Sequence, residues 1–92
     1  MPYVLVTADF PNITTEERRK IYSCLTGKSW VKIHELERDI DTVWQGFFSD
    51  TVSEASAIRT AINDFEECAK PFCKSKLVIH WGLNRPTRYG LV

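Results

Sequence analysis

The chain has 92 residues, 43% hydrophobic and 26% charged, which predicts one globular domain and argues against a disordered segment. Its net charge of zero argues against tight nonspecific binding to duplex DNA, which needs many contacts between cationic side chains and phosphates. No apolar run approaches the roughly 20 residues needed to span a bilayer. The first ten residues lack a basic segment and are interrupted by Asp9, so we expect a strand, no export signal and a cytoplasmic protein.

The first predicted elements are a strand and a helix. Residues Tyr3–Phe10 are rich in Val, Leu and aromatic side chains, which predicts a buried strand that ends at Pro11. Thr14 is followed three residues later by Glu17, the pattern of a capping box, in which each side chain accepts from the other residue's backbone N–H. This pattern predicts a helix start, and Gly27 predicts the helix end.

A second strand is predicted over residues 30–36, where apolar and polar side chains alternate. We expect Val31 and Ile33 to face the helices of the domain. The same alternation then predicts that Lys32 and His34 face away from the helices.

The next predicted elements are a hairpin connection at residues 37–41, a third strand at 42–48 and a second helix. Gly46 inside the strand predicts a bulge or a close approach of the backbone. Residues 51–54 repeat the capping-box pattern, and Pro71 predicts the helix end because proline lacks the N–H. The buried stripe of this helix is predicted from residues at helical spacing: Ala55, Ile58, Ala61, Ile62, Phe65 and Ala69.

Residues 76–82 predict the last strand, and residues 84–92 form a tail without periodicity. The order of elements is therefore β-α-β-β-α-β. With right-handed crossovers, this order predicts a single α+β domain over residues 1–83 with a ferredoxin-like fold, in which both helices cover one face of a four-stranded antiparallel sheet. The opposite face would have no cover from this chain, so we expect function to lie there.

Candidate contact residues lie on this uncovered face and in the tail. They are Tyr3, Lys32, His34 and His80 on the sheet, and Arg85, Arg88 and Tyr89 in the tail. Aromatic and basic side chains on a sheet face can stack on RNA bases. Because the chain is neutral and lacks a Gly-Phe-x-Phe-type segment, we favour a homodimer or a protein partner over RNA. The tail either adds a strand to a partner or is a frayed terminus.

Asp9, at the end of the first strand, is the one candidate catalytic residue. A carboxylate there can hold Mg²⁺, and a two-fold dimer would bring two copies together for metal-assisted phosphodiester cleavage. The alternative is that Asp9 only ends the strand and caps the following turn. Mg²⁺ belongs to the cleavage hypothesis alone, and otherwise no cofactor is expected.

The three cysteines, Cys24, Cys68 and Cys73, are an odd count, and we expect reduced thiols that serve as small core residues. Neither His34 nor His80 lies at a metal-ligand spacing, so no zinc site is expected. A nucleophilic pair of Cys73 with His80 stays open as an alternative.

The segment Tyr3–Phe10 with Asp9 near its end, the hairpin strand at 44–48 and the capped second helix resemble GhoS-type antitoxin endoribonucleases and small CRISPR-associated ferredoxin-like nucleases. Asp9 alone maps onto a position that carries chemistry in those nucleases. The resemblance implies a role in a bacterial or mobile-element regulatory or defence system.

Three functional hypotheses follow from the sequence. The leading one is a non-catalytic, dimeric interaction module that binds a protein partner. The alternatives are a metal-dependent endoribonuclease that uses Asp9 and an RNA-binding module. The absence of an assembled catalytic motif makes an enzyme the less favoured class.

Overall fold

The structure, a computed structural model, describes residues 2–35 and 38–83; at 34, 35 and 38–42 the description is limited to the backbone. In chain order the elements are β1 (Tyr3–Asp9), α1 (Thr15–Gly27), β2 (Val31–Glu35), β3 (Arg38–Phe47), α2 (Glu54–Ala69) and β4 (Lys76–Gly82). Neither described helix has the length and hydropathy of a membrane span.

The four strands form one antiparallel sheet in the order β2-β3-β1-β4. β1 is a central strand: Val6 lies opposite Trp44 of β3 on one side and opposite Ile79 of β4 on the other. The predicted α+β class, with a four-stranded antiparallel sheet and two helices, is confirmed.

Alternate residues of β1 show which face of the sheet carries the core. Val4, Val6 and Ala8 are buried and belong to one hydrophobic cluster with side chains from both helices, including Ile21 of α1 and Phe65 of α2. We call this side of the sheet the helix face and the opposite side the outer face.

The start of α1 matches the sequence prediction. The Thr14 backbone N–H donates to Glu17 Oε1 at 2.9 Å, and the Glu17 backbone N–H donates to Thr14 Oγ1 at 3.1 Å. These two reciprocal hydrogen bonds form the predicted capping box and satisfy two N–H groups that have no partner within the helix.

The start of α2 differs from the prediction. Its N-cap is Ser53, whose hydroxyl accepts from the Ser56 backbone N–H at 3.1 Å. The predicted capping box at 51–54 is wrong, because the Thr51 hydroxyl instead pairs with the Ser49 hydroxyl at 2.6 Å in the preceding turn. The helix therefore begins two residues later than a cap at Thr51 would place it.

The buried stripe of α2 also differs in part from the prediction. The buried residues are Ala57, Ala61, Phe65, Cys68 and Ala69. The predicted members Ala61, Phe65 and Ala69 are confirmed, whereas Ala55 and Ile62 are exposed and Ile58 is half-buried. The helix ends before Pro71, as predicted.

The faces of Val31 and Lys32 in β2 are opposite to the prediction, whereas Ile33, which follows a shift in register, is buried at 4% exposed. Lys32 lies opposite Trp44 of the helix face, and its Nζ is 5.0 Å from the centre of the Tyr22 ring of α1. Val31 lies opposite Gln45 instead, on the outer face. The reason is the residue before the strand: the Trp30 indole enters the core, where it is 3% exposed, and alternation then puts Lys32 on the same side.

β3 begins at Arg38, so residues 38–41, predicted as a connection, belong to the strand. The register between β2 and β3 shifts between Lys32 and Ile33.

At Gly46 the predicted close approach is present: a Cβ there would lie 2.7 Å from Trp30 Cζ3. Glycine is required because the Trp30 ring packs directly on this backbone.

A disulfide bond joins the two helices. Cys24 of α1 and Cys68 of α2 are bonded, with a Cα–Cα distance of 5.6 Å, and Cys73 is the free cysteine. The expectation of three reduced thiols is therefore wrong for this pair. The two helices pack side by side on the core, which brings together cysteines that are 44 residues apart in sequence.

Candidate interaction surface and the groove beside Asp9

The outer face of the sheet is built from alternate positions of all four strands. Its described side chains are Tyr3, Leu5, Thr7, Asp9, Val31, Val43, Gln45, Phe47, Lys76, Val78 and His80. Three of them are large apolar side chains in contact with solvent: Val78 is 69% exposed, Phe47 42% and Val31 38%. The outer face thus presents apolar surface on β2, β3 and β4.

An aromatic pair lies on the two central strands of this face. Tyr3 of β1 lies opposite Phe47 of β3, and their rings meet edge to face with centroids 4.9 Å apart. The exposed His80 lies on the neighbouring strand, opposite Leu5. Phe47 was not among the candidate residues predicted from the sequence. Its signal was present, because Trp44 is the largest apolar residue of β3 and alternation from a buried Trp44 puts Phe47 on the outer face.

Gln45 is buried although it lies on the outer face. It lies between Leu5 and Val31 on the outer face, yet it is 1% exposed, and its Oε1 accepts no hydrogen bond. The prediction that this face has no cover is therefore wrong at its centre. A buried amide oxygen without a donor costs on the order of 1–3 kcal/mol. The accessible parts of the face are β4, the carboxyl end of β1 and the side chains of Phe47 and Val31.

Asp9 is exposed at the end of β1 and lies opposite Lys76 of β4. Opposite charges at facing positions of neighbouring strands stabilise the pair by a few tenths of a kcal/mol to about 1 kcal/mol. The chain turns after Asp9 through Asn12, which has a φ of 58°, a left-handed conformation that asparagine tolerates better than most residues. Asp9 therefore stands at the rim of the sheet beside a sharply turning connection.

A groove of about 530 Å³ lies beside this rim, lined by residues 11–12 of the β1–α1 connection and residues 72–76 before and in β4. It contains two cationic side chains, Lys74 and Lys76, and the free Cys73. Burial raises the pKa of the Cys73 thiol, and the negative charges of Asp9 and Glu17 raise that pKa further. The thiol is therefore protonated at neutral pH, which makes it a poor nucleophile.

The structure does not bring the candidate Cys73–His80 pair together. Lys76 lines the groove, and His80 lies four residues further along the extended strand, which is about 13 Å at the usual rise of a β-strand.

Across residues 2–35 and 38–83, no group of three or more His, Cys, Asp or Glu side chains could hold a metal ion. Asp9 alone would supply one carboxylate ligand, so a Mg²⁺ ion would also need oxygen atoms from substrate phosphates or a second chain.

Of the remaining candidate residues, Tyr3 and His80 lie on the outer face, whereas Lys32 lies on the helix face with its Nζ over the Tyr22 ring. The His34 side chain and the tail residues Arg85, Arg88 and Tyr89 lie outside the described part of the chain.

Comparisons with protein-family models, curated proteins and solved structures find no match for this chain.

Proposed function

We propose that this chain is a small, dimeric interaction module with a ferredoxin-like fold that binds a protein partner through the outer face of its sheet. Read from its other edge, the sheet order is β4-β1-β3-β2, with every neighbouring pair antiparallel. Two β-α-β crossovers joined by the β2–β3 hairpin produce this order, which supports the ferredoxin-like assignment.

The observation that carries the proposal is the exposed apolar surface of Phe47, Val78 and Val31 on one face of the sheet. Burying the exposed part of each side chain against a partner would contribute on the order of 1 kcal/mol. The described Asp, Glu, Lys and Arg side chains of the face are Asp9 and Lys76, which lie opposite each other and cancel. A face that is apolar and electrically balanced fits a protein surface better than a phosphate backbone.

Two matched variants test the proposal. Phe47→Ser removes an apolar side chain from the outer face, where it is 42% exposed, and Ile62→Ser removes one from α2, where it is 37% exposed. Tagged wild-type protein and both variants, each shown by circular dichroism to be folded, are used to capture partners from a cell extract. We expect a partner retained by the wild type and by Ile62→Ser, with at least tenfold less retained by Phe47→Ser.

The proposal is contradicted if the wild type retains nothing above the empty resin, or if both variants lose the partner equally. The resemblance of the sequence to antitoxin endoribonucleases suggests that the partner belongs to a bacterial toxin–antitoxin or defence system, and identification of the retained protein by mass spectrometry tests this directly.

The groove beside Asp9 supports a second candidate function, a metal-dependent endoribonuclease. Lys74 and Lys76 can neutralise phosphates in the groove, and the Asp9 carboxylate at its rim can bind Mg²⁺ that polarises a phosphoryl oxygen. RNA is incubated with Mg²⁺ and wild-type protein, Asp9→Asn or the control Asp50→Asn, which changes an exposed turn residue. Cleavage that requires Mg²⁺ and is lost only in Asp9→Asn supports this function. Absent cleavage, or equal cleavage by all three proteins, rejects it.

The Tyr3–Phe47 pair supports the third hypothesis, RNA binding without cleavage, because unpaired bases stack on aromatic side chains. Binding of a fluorescent single-stranded RNA should then weaken in Phe47→Ser and fall steeply with added salt. Undetectable or salt-insensitive binding rejects this hypothesis.

A further inference from the structure

We infer that two copies of the chain pair through the edge of β4 that no described strand occupies, in antiparallel orientation about a two-fold axis at Ile79, so that their sheets form one continuous eight-stranded sheet. This inference rests on the dimeric part of the proposed function and specifies the interface. It does not depend on which protein the outer face binds.

β4 is an edge strand that lacks the usual protections against pairing. It runs for seven residues in unbroken register with β1, from Lys76 to Gly82. It contains no proline and no bulge, and its only Lys, Arg, Asp or Glu residue is the first one. An edge of this kind presents a row of backbone N–H and C=O groups that can pair with another strand.

β2, at the other edge of the sheet, carries protections that β4 lacks. It is five residues long, its register with β3 shifts between Lys32 and Ile33, and Lys32 is a charged side chain that points toward the helix face. Short length, irregular register and inward-pointing charge all discourage pairing with a second chain. Because β2 has these protections and β4 lacks them, we expect β4 to be the edge that pairs.

The side chains of β4 are incompletely covered on both faces of the sheet. On the outer face, Val78 is 69% exposed. On the helix face, Leu77, Ile79 and Trp81 pack against the core but are only half-buried. A further strand beyond β4 would cover both rows, because facing side chains of neighbouring strands lie in contact.

A two-fold axis at Ile79 matches the helix-face residues of the two copies. Ile79 would lie opposite Ile79 of the second copy, and Leu77 opposite Trp81 of the second copy. Each half-buried apolar side chain then meets another apolar side chain, and the interface is self-complementary, as a two-fold axis requires.

The same axis gives acceptable pairs on the outer face. Val78 would lie opposite His80 of the second copy, and Lys76 opposite Gly82. An axis at Val78 would instead pair only residues 76–80 of the two strands and leave Trp81 and Gly82 beyond the end of the partner strand, whereas the axis at Ile79 pairs all seven residues of β4. The length of β4 therefore favours the axis at Ile79.

Sedimentation equilibrium of the full chain at tens of micromolar tests the interface. We expect a dimer for the wild type and at least a tenfold weaker dimer for Val78→Glu, whose exposed position leaves the fold intact. The matched control is Val31→Glu on β2, 38% exposed and remote from the β4 edge, which should remain dimeric. A monomeric wild type, or a dimer that Val78→Glu does not weaken, overturns the inference.

A double variant tests the register. Adding His80→Lys to Val78→Glu places opposite charges at facing positions only if residue 78 lies opposite residue 80 of the second copy. We therefore expect the double variant to dimerise at least tenfold more tightly than Val78→Glu. Failure to do so overturns the axis at Ile79.

The outcomes also separate this inference from the rest of the proposal. A monomeric wild type that still captures a Phe47-dependent partner overturns β4 pairing and leaves outer-face binding intact. A Val78-dependent dimer that captures nothing supports β4 pairing and rejects outer-face binding.

Discussion

Reduction of the Cys24–Cys68 disulfide should destabilise the fold strongly. The bond closes a loop of about 45 residues, and the chain-entropy relation for such a loop gives about 13 cal/mol/K, or about 4 kcal/mol at 25 °C. Domains of this size have a total stability on the order of 5–10 kcal/mol. With an unfolding entropy of about 0.19 kcal/mol/K for 92 residues, the midpoint of thermal unfolding should fall by about 20 °C.

The measurement is thermal unfolding followed by circular dichroism, with and without a phosphine reductant, which removes the bond without changing side-chain volume. A Cys73→Ala variant serves as the control, because it lacks the free thiol and should keep the full sensitivity to reductant. Alkylation of the unreduced, denatured wild type should label one cysteine. Labelling of all three, or a change in midpoint below about 5 °C, would refute the reasoning from chain entropy.

Three further predictions concern single residues. Gly46→Ala should lower stability by about 1–3 kcal/mol, because the new Cβ collides with the Trp30 ring. Thr14→Ala should lower it by about 1 kcal/mol through loss of the α1 cap, and urea unfolding measures both variants. Asp9→Asn should lower the pKa of the half-buried Cys73 thiol by removing a negative charge, so that alkylation at mildly alkaline pH becomes faster.

The first two of these predictions have a control variant, and the third has an outcome that would contradict it. Gly27→Ala adds a Cβ that meets nothing within 4 Å and should not destabilise, so equal losses at Gly27 and Gly46 would contradict the packing argument. A Thr14→Ser variant keeps the hydroxyl and should retain most of the stability lost in Thr14→Ala. If Asp9→Asn leaves the alkylation rate of Cys73 unchanged, the two groups do not interact as the structure indicates.

Elements with a strong local signal could be predicted from the sequence. The alternation of Leu77, Ile79 and Trp81 with Val78 and His80, bounded by Lys76 and Gly82, predicted the limits of β4 because a strand has a period of two. The α1 cap was predictable for a similar reason, since both of its hydrogen bonds join residues three apart.

Features that depend on distant contacts could not be predicted in this way. The faces of β2 follow from Trp30, whose indole Nε1 donates to Asp64 of α2 at 2.9 Å, a contact across 34 residues. The Cys24–Cys68 bond likewise depends on how the helices pack. On the site, the sequence indicated the outer face and Asp9, and alternation from Trp44 also placed Phe47 on that face. The pairing of Phe47 with Tyr3 could not be predicted, because it requires the β1–β3 register.

The disulfide also shortens the path of covalent bonds that must close when β1 and β4 pair. In the reduced chain, about 67 residues separate the ends of β1 and β4 that must meet at Asp9 and Lys76. Through the Cys24–Cys68 bond, the connecting path is about 15 residues on one side and about 8 on the other, and this shortening lowers the entropy cost of closure by about 1 kcal/mol. The oxidised chain should therefore fold faster, because its most distant strand pair has become a local contact.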